Sequence, residues 1–175
     1  MNTRTLRYLR RALLVRRFHQ HATLEVDTVG KHSLGVALLT HLIDPAARKC
    51  VILAAMVHDL GEYEIGDIPA PTKRMLGQEM RDHLADLEDD VLKMHGLEFQ
   101  LTDDEWRLIK VADCLDGLCF VTEERTRGNM ALHEVGMKYC EYLLQVVNDL
   151  DGALDWHESA KDVSNMIIQY WKDAQ

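Results

Sequence analysis

Apolar residues recur along this chain at helical spacing almost throughout, and no run alternates as a half-buried strand requires. The pattern predicts a first helix over about Thr5–Gln20 and a second from about Lys31 to Ile43, ended before Pro45. A third, over about Ala46–Glu62, is apolar on nearly all sides in its second half, which predicts the central buried helix. Ile65–Thr72 holds the two remaining prolines, Pro69 and Pro71, and is expected to be a loop. A long acidic helix follows over about Met75–His95. Thr102-Asp103-Asp104-Glu105 has the form of a capping box, starting a helix that runs through Asp113 to about Arg125 and stops at Gly128-Asn129. Two further helices, about Met130–Leu150 and Asp155–Lys172, flank Asp151-Gly152. With no repeat, linker or low-complexity stretch, the expected fold is an all-α bundle forming a single domain over residues 1–175.

Composition narrows the function classes. A chain of 175 residues is long enough to bury a substantial core. Its opening residues alternate Arg with Leu, unlike a signal peptide, and no apolar run approaches the roughly 18 residues of a membrane span. The four cysteines, Cys50, Cys114, Cys119 and Cys140, form no C-x-x-C pair, which suits a reducing compartment and small core residues. A cytoplasmic protein is expected, in the host cytoplasm if phage-encoded. The net charge of −9 is uneven: Arg4, Arg7, Arg10, Arg11, Arg16 and Arg17 fall in the first 20 residues without an acid, leaving −15 on the rest. Such an acidic body argues against nucleic acid as a partner, and nothing suggests a membrane.

The candidate chemistry centres on His58-Asp59, at the end of the apolar third helix, with Glu62 four residues after His58. Ionisable side chains there are costly to bury unless something binds them. His32 and Asp113 lie on two other mainly apolar helices, and the following loop adds Asp67. A lone histidine or carboxylate in such a place is more often a satisfied core residue or a cap. Two imidazoles and two carboxylates converging from three helices instead suit a divalent metal. Mixed nitrogen and oxygen donors fit Zn, Co, Mn, Ni or Fe, which the sequence does not rank. Glu62 is then the natural general acid or base. Glu123 and Glu124 read as solvated charges, His19, His21 and His41 have no assigned role, and Asp116 is a candidate to support the metal ligands from behind.

Together these residues resemble a known family. His32, His58-Asp59 and Asp113 look like the H…HD…D signature of the HD-domain phosphohydrolases. Lys31-His32-Ser33-Leu34, His58-Asp59-Leu60-Gly61-Glu62, Gly66-Asp67-Ile68-Pro69-Ala70-Pro71-Thr72-Lys73 and Lys110-Val111-Ala112-Asp113 resemble the YfbR-like 5′-deoxyribonucleotidases. They equally resemble the short phage dATP triphosphohydrolases of the DatZ type. The likeness runs from Arg17 to Asn129. It implies an HD-type helical bundle in which His32, His58, Asp59 and Asp113 hold the metal. It further implies Glu62 as the catalytic carboxylate, and Asp67 as a second acid beside the reacting water or a second ion such as Mg. Arg17 and Lys73 fall where these families contact substrate phosphate. Phe18 stands where relatives often carry Trp, beside sugar and base.

The resemblance implies a metal-dependent hydrolase of deoxynucleotides. The first expectation is dATP hydrolysis to deoxyadenosine and triphosphate, with the arginine-rich first helix leaning towards the longer phosphate chain. The alternatives are a 5′-deoxyribonucleotidase acting on monophosphates and a nucleotide-binding HD protein without turnover. The relatives also imply a homo-oligomer, a hexamer or a dimer.

Overall fold

The computed structural model describes residues 3–150, 152 and 154–174. Among them the helices are α1 (Thr3–Ala12), α2 (Val29–Ile43), α3 (Lys49–Val57), α4 (Glu62–Ile65), α5 (Ala70–Met75), α6 (Gln78–Met94), α7 (Asp103–Thr126), α8 (His133–Asn148) and α9 (His157–Asp173). No strand occurs among the described residues, only an isolated bridge between Arg16 and Thr28. The all-α expectation therefore holds, and the differences lie in where helices begin and end. Asp151 of the expected final break lies outside the described residues.

The first helix is shorter than its Arg/Leu pattern predicts, because the chain leaves it at Ala12. The carbonyls of Leu13 and Val15 are taken by the N–H groups of Gly30 and Val29, so the backbone pairs with the start of α2 instead of continuing a helix. The expected third helix also breaks. It ends at Val57, passes through tight i→i−3 turns at Leu60, Glu62 and Tyr63, and resumes as the single turn α4. The expected loop Ile65–Thr72 is half helix: α5 starts at Ala70, with Pro71 in its first turn, where a missing N–H leaves no intrahelical bond unmade.

The central element is α7, not the apolar α3. It packs against α2, α3, α8 and α9 and buries Leu108, Val111, Ala112, Leu115, Leu118 and Val121. In α3, Leu53 and Met56 remain exposed. The capping box that starts α7 is formed as expected: Thr102 Oγ1 accepts from the Glu105 amide at 3.3 Å, and Glu105 accepts from the Thr102 amide at 2.8 Å. Thr102→Ala is expected to cost about 1 kcal/mol of stability, measurable by urea denaturation. A smaller apolar cluster of Tyr8, Ala12, Val29 and Leu60 joins α1 and α2 to the turn between α3 and α4, with Val91 and Leu92 of α6 packed against it. This cluster seats the turn that carries His58, Asp59 and Glu62. Cys114 and Cys140 are buried, Cys50 and Cys119 half-buried, and all four are free thiols. Among the described residues, no helix is long and apolar enough to cross a membrane.

Candidate metal centre

His32 reaches the centre from the first turn of α2, whose N-cap is Thr28, and is essentially buried. His58 and Asp59 arrive from the turn after α3, and Asp113 from the middle of α7. His32 Nε2 lies 3.3 Å from Asp59 Oδ2 and 3.2 Å from Asp113 Oδ1, while His58 Nε2 lies 3.2 Å from Asp59 Oδ1. The two imidazole centroids are 5.3 Å apart. One ligand atom each from His32, His58 and Asp59 lies within 4.8 Å of the others. Donors bound to a common ion at about 2.0–2.1 Å lie roughly 3–4 Å apart, which the His–Asp separations match.

The polar groups around this cluster fix how the imidazoles face. His58 Nδ1 donates to the Ala55 carbonyl at 2.8 Å, and His32 Nδ1 donates to Asp116 Oδ2 at 2.7 Å. Each ring thereby presents Nε2 to the centre. Both Nε2 atoms are buried and, although near carboxylates, make no aligned hydrogen bond among the described residues. Orphaned buried nitrogens facing acids are the arrangement a cation would satisfy. The charge distribution agrees. Burial alone would pull His32 down, but Asp113, Asp116 and Asp59 outweigh it and push its pKa up to about 11. Burial raises Asp59 and Asp113, yet His58 and His32 around Asp59, and Lys110 with His32 around Asp113, hold both below the carboxylate range. Lys110 Nζ donates to Asp113 Oδ2 at 2.6 Å.

Asp116, one turn after Asp113, was a weak signal in the sequence; its partner Gly35 gave none. A Cβ on Gly35 would lie 1.8 Å from Asp116 Oδ1, so only glycine leaves room for this carboxylate behind His32. Gly35→Ala is expected to displace Asp116 and lower metal affinity 10–100-fold, as measured by competition with a chromogenic chelator.

Glu62 is not on the helix of His58. It opens α4, across the turn from Asp59, and is buried with Oε2 unbonded among the described residues. Burial, with Asp59 and Asp67 nearby, pushes its pKa up to about 9. Asp67 is half-buried with its pKa raised, by burial first, and its Oδ2 lies 3.5 Å from His19 Nδ1. Lys73 Nζ lies 3.4 Å from Glu88 Oε1 and acts electrostatically on Glu62 and Asp67. Glu88 itself packs on Gly61, where a Cβ would meet it at 3.0 Å.

Arg17 and Phe18 lie outside α1, on the segment before α2. Arg17 Nη1 pairs with Asp27 Oδ2 at 3.0 Å, and the guanidinium is held charged against its burial by Tyr139, Asp59, Asp113 and Asp27. Phe18 has φ of 52°, a left-handed conformation uncommon for a bulky residue. Its ring stacks on Phe120 of α7 at 5.1 Å between centroids, and the Arg17 guanidinium lies 5.2 Å above it. His19, Asp27, Glu88, Phe120 and Tyr139 carried no distinctive spacing in the sequence.

Glu124 was expected to be solvated but is buried. It accepts from the Leu24 and Glu25 amides at 2.7 and 2.9 Å and from Asn129 Nδ2 at 2.6 Å. It thus ties the segment that follows Arg17 and Phe18 to the end of α7. The arginines of α1 lie elsewhere. Arg4, Arg7 and Arg11 line a surface hollow of about 280 Å³ with Tyr8, Tyr63, Glu64 and His95, which contains none of the candidate ligands.

The model of the 5′-deoxynucleotidase YfbR-like family matches residues 4–96. A 5′-deoxynucleotidase of Cronobacter sakazakii is 28% identical over 153 residues, covering 70% of this chain and 73% of that protein. The 5′-deoxynucleotidase YfbR of Escherichia coli is 27% identical with the same coverage. In fold, the chain is similar to the HD phosphohydrolase DatZ of cyanophage S-2L, solved with dA and one catalytic Zn²⁺. The TM-score is 0.69 at 22% identity, covering 98% of this chain and 97% of that one.

Proposed function

This chain belongs to the YfbR-like family and is a phosphohydrolase of the HD type, and from that premise we propose that it releases deoxynucleosides from 5′-deoxynucleotides in a metal-dependent reaction. The observation that carries the reading is the pair of buried, unbonded Nε2 atoms of His32 and His58 facing Asp59 and Asp113, with Glu62 alongside. Those four residues would hold a divalent transition metal, one of Zn, Co, Mn, Ni or Fe, with Asp67 available to a second ion such as Mg. When bound, such an ion polarises a phosphoryl oxygen and lowers the pKa of its water.

The remaining residues act on the substrate directly. Arg17 and Lys73 meet the phosphate oxygens and offset the charge that grows on them in the transition state. Glu62, buried and able to hold a proton at neutral pH, gives it to the 5′-oxygen as the bond from that oxygen to phosphorus breaks, and regains one from the water whose oxygen bonds to phosphorus in its place. Phe18, braced by Phe120, forms a flat wall for the base. A slot closed at the purine 2-position would favour adenine over guanine, whose 2-amino group would be left crowded or unpaired.

Our first reading of the substrate is dATP, cleaved to deoxyadenosine and triphosphate. It is supported, as to the adenine nucleoside only, by the dA bound to the phage phosphohydrolase that shares this fold. The α1 arginines give it no support, since they line a separate hollow. The second reading, a 5′-deoxyribonucleotidase acting on monophosphates, is favoured by the names of the curated relatives. Both reactions attack the phosphorus beside the 5′-oxygen, so the same residues serve either. Self-association and a cytoplasmic setting, in a phage-infected host or otherwise, complete the proposal. Incubating the protein with each dNTP and dNMP plus Co²⁺ or Mn²⁺ decides between the readings. Deoxyadenosine and triphosphate in equal amounts from dATP, without dAMP or dADP, are expected. Orthophosphate from several dNMPs with dATP inert would make the protein a 5′-nucleotidase. Turnover of none of them, with nucleotide still bound, would leave a non-catalytic binding protein.

A further inference from the structure

Helix α1 buries Tyr8 and Ala12 and leaves its arginines outside. Arg4, Arg7 and Arg11, spaced i, i+3 and i+7, share one exposed side. The arginine ion pairs among the described residues belong to Arg17, Arg48, Arg107 and Arg127, so these three have no acid within reach. Arg4 Nη2 rests on Met94 Sδ of α6 at 3.3 Å. Together they border the hollow of about 280 Å³, where Glu64 is the one acid in the lining and positive charge is in excess. The floor is aromatic. Tyr8 stacks on His95 at 3.9 Å between centroids and meets Tyr63 edge-on at 5.7 Å. Its hydroxyl donates to the Leu60 carbonyl at 2.6 Å. Burial, and then Glu64, push its pKa up to about 12, so the donor keeps its proton. Leu60 follows Asp59 and stands two residues before Glu62, so the hollow backs directly onto the turn of the candidate metal centre.

We propose that this hollow binds an inorganic polyphosphate, triphosphate or pyrophosphate, and that Tyr8 transmits its occupancy to the turn from His58 to Glu62. Guanidinium forks match phosphate oxygens in shape and charge, and here no carboxylate competes for them by ion pairing. From Arg4 to Arg11 the helix rises about 10 Å, which suits a chain of phosphates better than a single one. A nucleobase finds no platform, because Tyr8 is 4% exposed and already stacked. Nucleic acid is a poor occupant for a chain of net charge −9. An anion that draws the arginines together relieves their mutual repulsion over the Tyr8–His95 stack. The phenol beneath is then held more firmly against the Leu60 carbonyl, which is the differential contact a relay requires. The binding half stands apart from the activity proposed above; the relay rests on it, since its target is the turn of that metal centre. On the dATP reading, triphosphate is also the product of the reaction.

Calorimetric titration of inorganic triphosphate into the wild type, Lys73→Ala, Arg7→Glu/Arg11→Glu and Arg7→Gln/Arg11→Gln tests the site, with sulfate at matched ionic strength as control. The wild type should bind triphosphate in preference to sulfate, and less tightly as salt is added. Lys73→Ala, which weakens phosphate contact at the proposed active site, should keep this binding. Charge reversal of the arginine pair should weaken it on the order of 10-fold or more, and the glutamine pair should weaken it in the same direction. Circular dichroism should match the wild type in both pairs, since Arg7 and Arg11 are exposed. Hydrogen exchange read by mass spectrometry follows the relay. Triphosphate should slow exchange of the amides from Leu60 to Tyr63 in the wild type and in Lys73→Ala, and not in the arginine pairs. Tyr8→Phe, which keeps the ring and loses the bond to Leu60, should bind triphosphate without that protection. Triphosphate held no better than sulfate overturns the proposal. So does a Lys73→Ala variant that binds none, or arginine pairs that bind as the wild type does. Protection of the turn that is absent in the wild type, or undiminished in Tyr8→Phe, overturns the relay. None of these readouts uses turnover, so the product assay reads the hydrolase activity on its own.

Discussion

Asp59→Ala is expected to yield a folded protein that holds no transition metal and hydrolyses no nucleotide. Asp59 bridges the centre, with one carboxylate oxygen 3.3 Å from His32 Nε2 and the other 3.2 Å from His58 Nε2. Losing an outer partner of a metal ligand costs 10–100-fold in affinity, and losing this ligand itself should cost more. Without a bound cation, the polarised phosphoryl oxygen and the acidic water are both lost. His58→Ala should behave alike, since it removes one of the two unbonded Nε2 atoms. Folding survives either change because the main core lies around α7, in Leu108, Leu115, Leu118 and Leu143, apart from the turn. Elemental analysis, circular dichroism and the product assay, run on the same preparations, check all three outcomes. A fully active wild type without transition metal, or an Asp59→Ala variant that keeps metal and rate, would remove the site as drawn.

Helices that end on a local signal were legible in the sequence, and those that end on a tertiary contact were not. Thr102 and Glu105 announce α7 by their spacing, and both hydrogen bonds of the capping box form. The end of α1 has no such mark. Its Arg/Leu periodicity runs past Ala12, and the helix stops because Val29 and Gly30, distant in sequence, capture the carbonyls of Val15 and Leu13. The apolar second half of the helix expected over about Ala46–Glu62 predicts the central buried helix. Its outer side, with Leu53 and Met56 exposed, shows that apolar character all round need not mean burial within one chain. Pro69 and Pro71 read as breakers, whereas the second falls in the first turn of α5, where proline is tolerated.

The candidate ligands were legible for a different reason. Ionisable residues within apolar helices are conspicuous, and His32, His58 and Asp59 come together in the fold, with Asp113 against His32. The groups that position them are not conspicuous. Asp116 sits at an ordinary helical spacing from Asp113, and Gly35 matters only because a carboxylate from another helix occupies the volume of its missing side chain. Glu124 beside Glu123 reads as a solvated pair, until the Leu24 and Glu25 amides are found on it 100 and 99 residues away. Phe18 is marked only by the family resemblance, and its left-handed backbone and its stacking on Phe120 depend on packing that no local pattern encodes.

Glu62→Gln should separate chemistry from binding. The amide keeps the size of the carboxyl and still fills the buried position at the start of α4, but it cannot exchange a proton. Metal content and nucleotide affinity are expected to stay near wild type while kcat falls on the order of 10²–10⁴-fold. Glu62→Ala should fall as far in rate. Stability of the metal-free protein gives an independent readout. Burial and the neighbouring Asp59 and Asp67 raise the Glu62 pKa from 4.5 in the unfolded chain to about 9 in the folded one. The folded state therefore holds the proton more tightly, and this contribution is fully present below pH 4.5 and lost as pH rises through about 9. Glutamine has no such loss. In chelator, Glu62→Gln should match the wild type near pH 4 and become progressively more stable than it towards pH 8, as read from urea midpoints. A wild-type kcat in Glu62→Gln would move the proton-transfer role to Asp67, the next carboxylate towards Lys73. Parallel stability curves at all pH values would show that Glu62 titrates normally and that its burial does not hold the proton.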